Sequence, residues 1–349
     1  MRVLNTLPQA DLRATAASAI ASEAAGYDGL LTMENKHDPF LAHAIAAVNT
    51  QRVELGTSVA IAFPRSPMVV ANASWDLQNA SRGRFVLGIG PQIRPHNEKR
   101  FSVPWTAPAP RLREYVQALR AIWTTWQAGA KLDFRGNHYT FTLMPPYFMP
   151  PSTGQKMVPI TLAAVGEHSL RLAGEVADGV RLHGFCTRRY AEEAIIPRLR
   201  EGMARSGRAR EHFEITGGGF VATGTDPEAT AKAFEIVRGR VAFYGSTPDY
   251  WGVLEIHGYG DLGHELNAMS KAGKWNEMAG RVPDDLVHLF AAVGTHKEIT
   301  ARIAERFGGL SDAISLRADS SSAGSEAPPD LIQDIKRIAT PFLGYQTAW

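Results

Sequence analysis

The feature that most constrains this chain is a repeated pairing: a short, almost wholly apolar run followed by a stretch with helical patterning. Residues 2–7, 27–33, 53–62, 84–89, 159–164, 179–183, 213–222 and 313–316 read as strands. A strand that is apolar on both faces cannot border water on either side, so it belongs in a parallel sheet covered by helices. Local punctuation agrees with that reading. The Ala-rich stretch 11–25 is stopped by Gly26, the residue favoured just past a helix end. Pro39 reads as the first turn of a helix over 39–49, where a missing N–H costs nothing. Further helices are expected over 67–81, 111–126, 168–176, 189–205, 227–243, 296–307 and 329–338.

Eight strands, each followed by a helix, predict an α/β fold, a (β/α)8 TIM barrel. The competing architecture is an open doubly wound sheet, whose mark is GxGxxG in the first strand-to-helix turn with an acid about 20 residues later. That pattern is missing, and GIGPQI at 88–93 does not complete it. The rhythm breaks twice. Residues 91–110, after the fourth strand, are long for a connection in a compact domain and are expected to lie over the site. Residues 244–292, before the last helix and strand, read as irregular or short-helical. The expectation is one domain over 1–349 with these two insertions, a small hairpin within 131–141, and a mobile Ser/Ala/Gly-rich loop at 319–325.

Composition narrows the function classes. At 349 residues and 44% hydrophobic the chain can bury a large core. Its 37 basic and 35 acidic residues leave a formal charge of +2, so no long-range field points to nucleic acid or an anionic membrane. With a single cysteine, Cys186, neither an internal disulfide nor a thiolate metal cluster can form. HExxH, a His-x-His after the first strand, and the GxSxG elbow are all missing, so neither a metal centre nor serine catalysis is expected. No leader pattern opens the chain and no apolar run approaches about 18 residues, which predicts a soluble cytoplasmic protein.

In a barrel of this kind, chemistry belongs at the C-terminal ends of the strands. Those ends carry Glu34 to Asp38, Ala60 to Arg65, Gly88 to Gln92, Ala164 to Glu167, and His183 to Cys186. The turn AAVGEHS at 163–169 leads into a helix and would offer free backbone N–H groups at the positive helix end, a seat for phosphate. Small residues kept only for tight packing would look the same. Paired with a glycine-rich turn at Gly88 and Gly90, the phosphate reading gains weight. His37 and His183 are the proton-transfer candidates, since imidazole titrates near neutral pH. Glu34, in the loop of His37, could position a ligand or be a solvated carboxylate. Trp105, Tyr147 and Phe148 lie in irregular segments and would either line an apolar pocket or pack as a lid.

The stretch LGTSVAIAFPRSPMVVANASWDLQNASRGRFVLGIG, with AGYDGLLTMENKHDPF at 25–40 and LAAVGEHSLRLAGEVADGV at 162–180, resembles the luciferase-like monooxygenase superfamily. It is most similar there to the coenzyme F420-dependent oxidoreductases; the resemblance spans most of the chain and is weakest over 247–282. What it implies can be placed residue by residue. A redox ring would lie against a bulge in the third strand containing a non-prolyl cis peptide, Ser58-Val59, followed by Ala60 and Ile61. Phosphate contacts would fall to Gly88, Gly90, Ala164, Val165 and Gly166, with Glu167 beside them. Glu34 and Asn35 would approach the ring from the second strand, with His37 beyond, and Glu34 or His37 would assist proton movement. Trp105, His183 and Phe185 would border the substrate. The sugar-phosphate dehydrogenases of the superfamily carry a glutamate where this chain has Pro91, Gln92 and Ile93, which argues against that substrate. The implied activity is hydride transfer between coenzyme F420 and a small organic substrate. The alternatives are an FMN-dependent two-component monooxygenase and a non-catalytic flavin-binding protein. The implied partners are a flavin or F420 reductase and a second copy of the chain in a homodimer.

Overall fold

A computed structural model describes residues 1–316 and 327–347; the expected loop at 319–325 lies outside them. Eight parallel strands form its frame: β1 (Arg2–Thr6), β2 (Gly29–Thr32), β3 (Glu54–Thr57, resuming at Ala60–Ile61), β4 (Phe85–Gly90), β5 (Ile160–Ala164), β6 (Gly179–Leu182), β7 (Glu214–Gly217) and β8 (Ala313–Ser315). They pair in the order β3-β2-β1-β8-β7-β6-β5-β4, and Leu55 and Gly56 of β3 pair with Phe85 and Val86 of β4 to close the ring. The expected (β/α)8 TIM barrel is therefore the observed fold.

Helices α1 (Thr15–Ala25), α2 (Leu41–Asn49), α3 (Pro67–Ala80), α4 (Pro108–Ala128), α5 (Glu167–Val176), α6 (Ile196–Ser206), α7 (Pro227–Gly245) and α8 (Ile299–Phe307) follow or precede these strands in turn. Leu55, Phe85, Leu87, Ile160 and Leu162 share a core with Tyr115, Leu119 and Trp123 of α4. That burial explains why the strands carry apolar residues on their outer face. Leu4, Leu31 and Ala313 form a separate cluster. The starts of the strands hold a buried charge network instead: Arg2 pairs with Glu54 at 3.1 Å and with Glu214, and Arg181 reaches Glu214 at 3.3 Å. Burial alone would raise the Glu214 carboxyl, yet Arg2 and Arg181 hold it below the ordinary carboxylate range. The Tyr345 hydroxyl, from the C-terminal segment, also donates to Glu214 at 2.5 Å.

Sequence punctuation set several boundaries as expected. Ser66 caps α3 by accepting from the Met68 N–H, with Pro67 in the first turn. Gly26, at φ 96°, closes α1 in the left-handed conformation that favours glycine. Pro39 is a correction: it precedes α2, and Asp38 Oδ1 accepts from the Phe40 and Leu41 N–H groups to start that helix.

Two larger points concern the second half. The expected seventh strand is broken by Gly217 and Gly218 at φ 83° and 88°, and its continuation Phe220–Gly224 leaves the ring to pair with Ala291–Thr295, a strand not expected from sequence. Residues 244–292, expected to be irregular or short-helical, take the short-helical form, with helices Trp251–Glu255, Gly260–Lys271 and Asp284–Phe290 around a second core of Phe185, Phe220, Val241, Leu254, Leu266 and Phe290 that the sequence reading did not foresee. The first insertion carries one π-helical turn, His96–Arg100, held by Asn97 Nδ2 donating to the Pro91 and Ile93 carbonyls at 2.9 and 3.1 Å. The small hairpin is present as Phe134–Arg135 against Thr140–Phe141. Among the described residues no helix is long and apolar enough to cross a membrane.

Candidate active site

The C-terminal ends of β2, β3, β5 and β6 build the barrel mouth. Between Thr57 and Ala60 the third strand leaves its ladder, and the Ser58-Val59 peptide there is cis, at the position the resemblance implied. The loop after β2 clamps this bulge: Ser58 N–H donates to the Thr32 carbonyl at 2.7 Å, and Glu34 N–H to the Val59 carbonyl at 3.4 Å.

The Glu34 side chain, 6% exposed, continues the clamp. Its carboxylate accepts from the Ile61 N–H at 2.7 Å and from Arg65 Nη1 at 2.7 Å. Arg65 also donates to Asp38 Oδ2 at 3.3 Å, and its carbonyl accepts from the Tyr115 hydroxyl at 3.1 Å. A carboxylate engaged in this way has a structural task, holding the bulge, before any task in proton transfer. Asn35 and His37 are exposed on the same loop. The Asn35 carbonyl accepts from Arg100 of the first insertion, which ties that insertion to the rim. The His37 ring makes no hydrogen bond among the described residues and stays available to a ligand.

Gly88 and Gly90 require a correction. Both are buried and lie inside β4, not in a turn after it. The Gly88 N–H donates to Thr57 Oγ1 at 2.9 Å, and that hydroxyl donates back to the Gly88 carbonyl at 2.6 Å. Gly88 is thus small because β3 presses against it, and its N–H is taken. Gly90, at the top of the strand, faces Val59 and Ala163: a Cβ there would lie 3.1 Å from each. It is small because the Val59 and Ala163 side chains pack against it beside the bulge.

The turn after β5 matches its expected geometry. Ala164 is buried, Val165 half-buried, and Gly166 and Glu167 are exposed. Gly166 is the N-cap of α5 and supplies no side-chain bond, and no atom comes within 4 Å of a Cβ built on it. The first N–H groups of α5 are therefore open, which is the arrangement that favours an anion. Glu167 does not block them. It turns to Arg171 and, at 3.7 Å, to Arg198, and the Arg171 hydrogen bond holds its carboxyl below the usual range.

His183 sits at the end of β6 in an aromatic niche. Its ring stacks on Tyr250 with centroids 4.9 Å apart and meets Tyr244 edge-on at 4.3 Å. Nδ1 accepts from the Phe185 N–H at 3.0 Å, which places the proton of the neutral ring on Nε2. Burial, reinforced by the Arg240 charge, lowers its pKa to about 4. His183 is thus a neutral imidazole with an Nε2–H donor near physiological pH. Tyr244 and Tyr250 were not anticipated; they come from the end of α7 and the second insertion, where the aromatic-rich run FYGSTPDYW at 243–251 was the available signal.

The aromatic expectations fare unevenly. Phe185 is 1% exposed and packs in the second core, 4.4 Å from the Phe290 ring, so it backs the niche and cannot border a substrate directly. Trp105 lies edge-on to Phe63 at 6.4 Å, folding the first insertion over the end of β3. Tyr147 and Phe148 are 93% and 71% exposed and lie edge-on to each other, ring centroids 5.6 Å apart. Among the described residues no group of His, Cys, Asp or Glu is arranged to hold a metal ion.

Fold and mouth together define a parallel (β/α)8 barrel with a bulged third strand beside an uncapped helix end. The family model described as luciferase-like monooxygenase matches residues 2–312, and the chain belongs to this family of oxidoreductases and monooxygenases. An uncharacterised protein of Mycobacterium tuberculosis is 48% identical over 303 residues, 87% of this chain and 89% of its own. A second protein of that organism, provisionally named a coenzyme F420-dependent oxidoreductase, is 30% identical over 304 residues, 81% of this chain and 84% of its own. Among solved structures, the coenzyme F420-dependent tetrahydromethanopterin reductase of Methanopyrus kandleri superposes with a TM-score of 0.76 at 18% identity, covering 97% of both chains.

Proposed function

We propose that this chain is an oxidoreductase that transfers a hydride between coenzyme F420 and a small organic substrate. The observation that carries the choice of cofactor is the 30% identity, over most of both chains, with a protein provisionally named for F420 dependence. The residues present fit such a group. The bulge at Ser58-Val59, packed from behind by Gly90 and Ala163, would offer the surface against which a flat ring lies, and the uncapped start of α5 at Val165, Gly166 and Glu167 would seat its phosphate. Coenzyme F420, when bound, supplies a two-electron hydride carrier.

The protein's part is then positional and electrostatic. Glu34 and Arg65 hold the bulge against which the ring would rest. His183, neutral with its proton on Nε2, would donate a hydrogen bond to a carbonyl or hydroxyl oxygen of the substrate, acting as an electrophile rather than a base. His37, exposed on the rim, would exchange the accompanying proton with solvent. Tyr244 and Tyr250 would wall the substrate side, with Trp105 above the end of β3. A separate reductase would regenerate the cofactor, and two copies of the chain would work as a homodimer.

Fluorescence titration of the purified protein with F420 and, separately, with FMN tests the reading. Saturable F420 binding, weakened when Gly166 is replaced by Asp to repel a phosphate, supports it. Tight FMN binding with none for F420 would overturn it in favour of a flavin monooxygenase. F420 binding without redox exchange across a substrate panel would reduce the protein to a cofactor carrier.

A further inference from the structure

Outside the barrel mouth, a cavity of about 710 Å³ opens between the loop after β6, α8 and the strand Ala291–Thr295; Thr187, Arg188, His257, Arg302, Glu305 and Arg306 are among its lining residues. Arg306 is its unusual member. It is 7% exposed, and among the described residues no carboxylate pairs with it. Nη2 donates to the Cys186 carbonyl at 2.6 Å and the Gly218 carbonyl at 2.9 Å, while Nε is buried without a partner. Burial, opposed in part by Cys186, pulls the guanidinium down to about 10, so it remains charged at neutral pH. Fixed by two neutral carbonyls over the Phe307 ring at 5.0 Å, with Glu192 acting on it only from beyond ion-pair distance, this buried cation lacks the contact counter-charge that such groups ordinarily find.

The rest of the lining supplies the setting for one. Four arginines, at 188, 189, 302 and 306, and two glutamates, at 192 and 305, line it, and Arg189 is paired with Glu193 at 2.8 Å. Both glutamates are already engaged at the rim, Glu192 with Arg188 at 2.9 Å and Glu305 with Arg302 at 3.3 Å. The Thr187 hydroxyl is shared with His257 Nε2 at 2.8 Å, and burial lowers the His257 pKa, so that ring adds polarity rather than charge.

We infer that this cavity binds a small anion carrying phosphate or carboxylate groups, with Arg306 as the anchoring charge and Arg302 at the entrance. The site does not depend on the cofactor assignment. The loop whose Cys186 carbonyl Arg306 holds is the loop that carries His183, three residues earlier. Two sources of the anion share this chemistry: a free metabolite, or a charged extension of a ligand seated in the mouth.

Calorimetric titration at fixed ionic strength, with inorganic phosphate and with citrate as probes, tests the inference. The expected result is saturable binding of at least one probe to the wild-type protein. Affinity falls about tenfold in Arg302→Gln, corresponding to the loss of one charge-assisted contact, and is abolished in Arg306→Met. Should Arg306→Met fail to fold by circular dichroism, the rim variant decides. Competition with F420 assigns the anion to a ligand extension, and additive binding assigns it to a separate metabolite; both outcomes support the site. Failure of both probes to bind, or affinity unchanged in Arg302→Gln, overturns it.

Discussion

Gly88 offers the sharpest test of how this barrel is built. A Cβ at that position would lie 1.9 Å from the Thr57 carbonyl oxygen, 3.0 Å from the Thr57 carbonyl carbon and 3.2 Å from Thr161 Oγ1. Ordinary contact begins at 3.4 Å, so β3 and β4 would have to part by about 1.5 Å at the seam that closes the ring. Overpacking a dense core typically costs about 1–3 kcal/mol. The same displacement strains the two bonds through the Thr57 hydroxyl, at 2.6 and 2.9 Å, each worth about 1 kcal/mol. Gly88→Ala should therefore lose about 3–5 kcal/mol, a large share of the roughly 5–15 kcal/mol that a domain possesses. Gly166→Ala is the control: its φ is −80°, no atom lies within 4 Å of the added carbon, and the change should stay within about 0.5 kcal/mol. Urea unfolding of both variants measures the contrast. A Gly88→Ala protein within about 1 kcal/mol of wild type would refute the claim that close strand approach, rather than anion binding, selects this glycine.

Two further predictions concern the mouth. Glu34→Ala and Arg65→Met should be non-additive, with a coupling of about 1–3 kcal/mol in a double-mutant cycle because they share the clamp on Ile61; additivity within about 0.5 kcal/mol would remove the clamp from the account. The second prediction is a pH dependence. His183 has its pKa lowered from 6.5 to about 4, so between those values the unfolded chain binds the proton and the folded one does not. Its contribution is fully present above about pH 6.5 and is lost as pH falls toward 4, amounting to about 2 kcal/mol between pH 7 and 5. His43, buried and also lowered to about 4 by desolvation, adds a similar slope, so His183→Gln should remove roughly half of the two-histidine dependence. Equal pH dependence in the variant and the wild type would show that His183 is not held neutral.

The barrel was legible because its cause is local. Each strand announces itself as an apolar run bounded by glycine or proline, and closure into eight follows once both faces must be covered. The second half resisted for a different reason. Phe220–Gly224 has strand composition, but Gly217 and Gly218 at positive φ redirect it to a partner more than sixty residues away in sequence, at Ala291–Thr295. No periodicity within the strand reveals such a partner. Residues 244–292 carry enough apolar positions to make helices, and their core includes Phe185 and Phe220, residues assigned elsewhere on sequence grounds. Once Phe185 belongs to that core, it is lost to the substrate.

At the site, residue type was readable and residue state was not. Gly88 was noticed as a glycine, yet whether a glycine bends a turn, admits a ligand or admits another strand depends on what stands opposite, here the Thr57 backbone. Glu34 was noticed as a carboxylate at a strand end, but its acceptor capacity is engaged by the Ile61 N–H and Arg65, 27 and 31 residues further on. His183 was noticed as an imidazole, while its tautomer comes from the Phe185 N–H and its neutrality from burial between Tyr244 and Tyr250 together with the Arg240 charge. In each case the chemistry of the side chain is set by a neighbour distant in sequence. The second insertion, where family resemblance is weakest, supplies Tyr250 to that niche. Under the proposed function, substrate choice should therefore follow the residues around His183 more closely than those around the bulge, which would serve the ring.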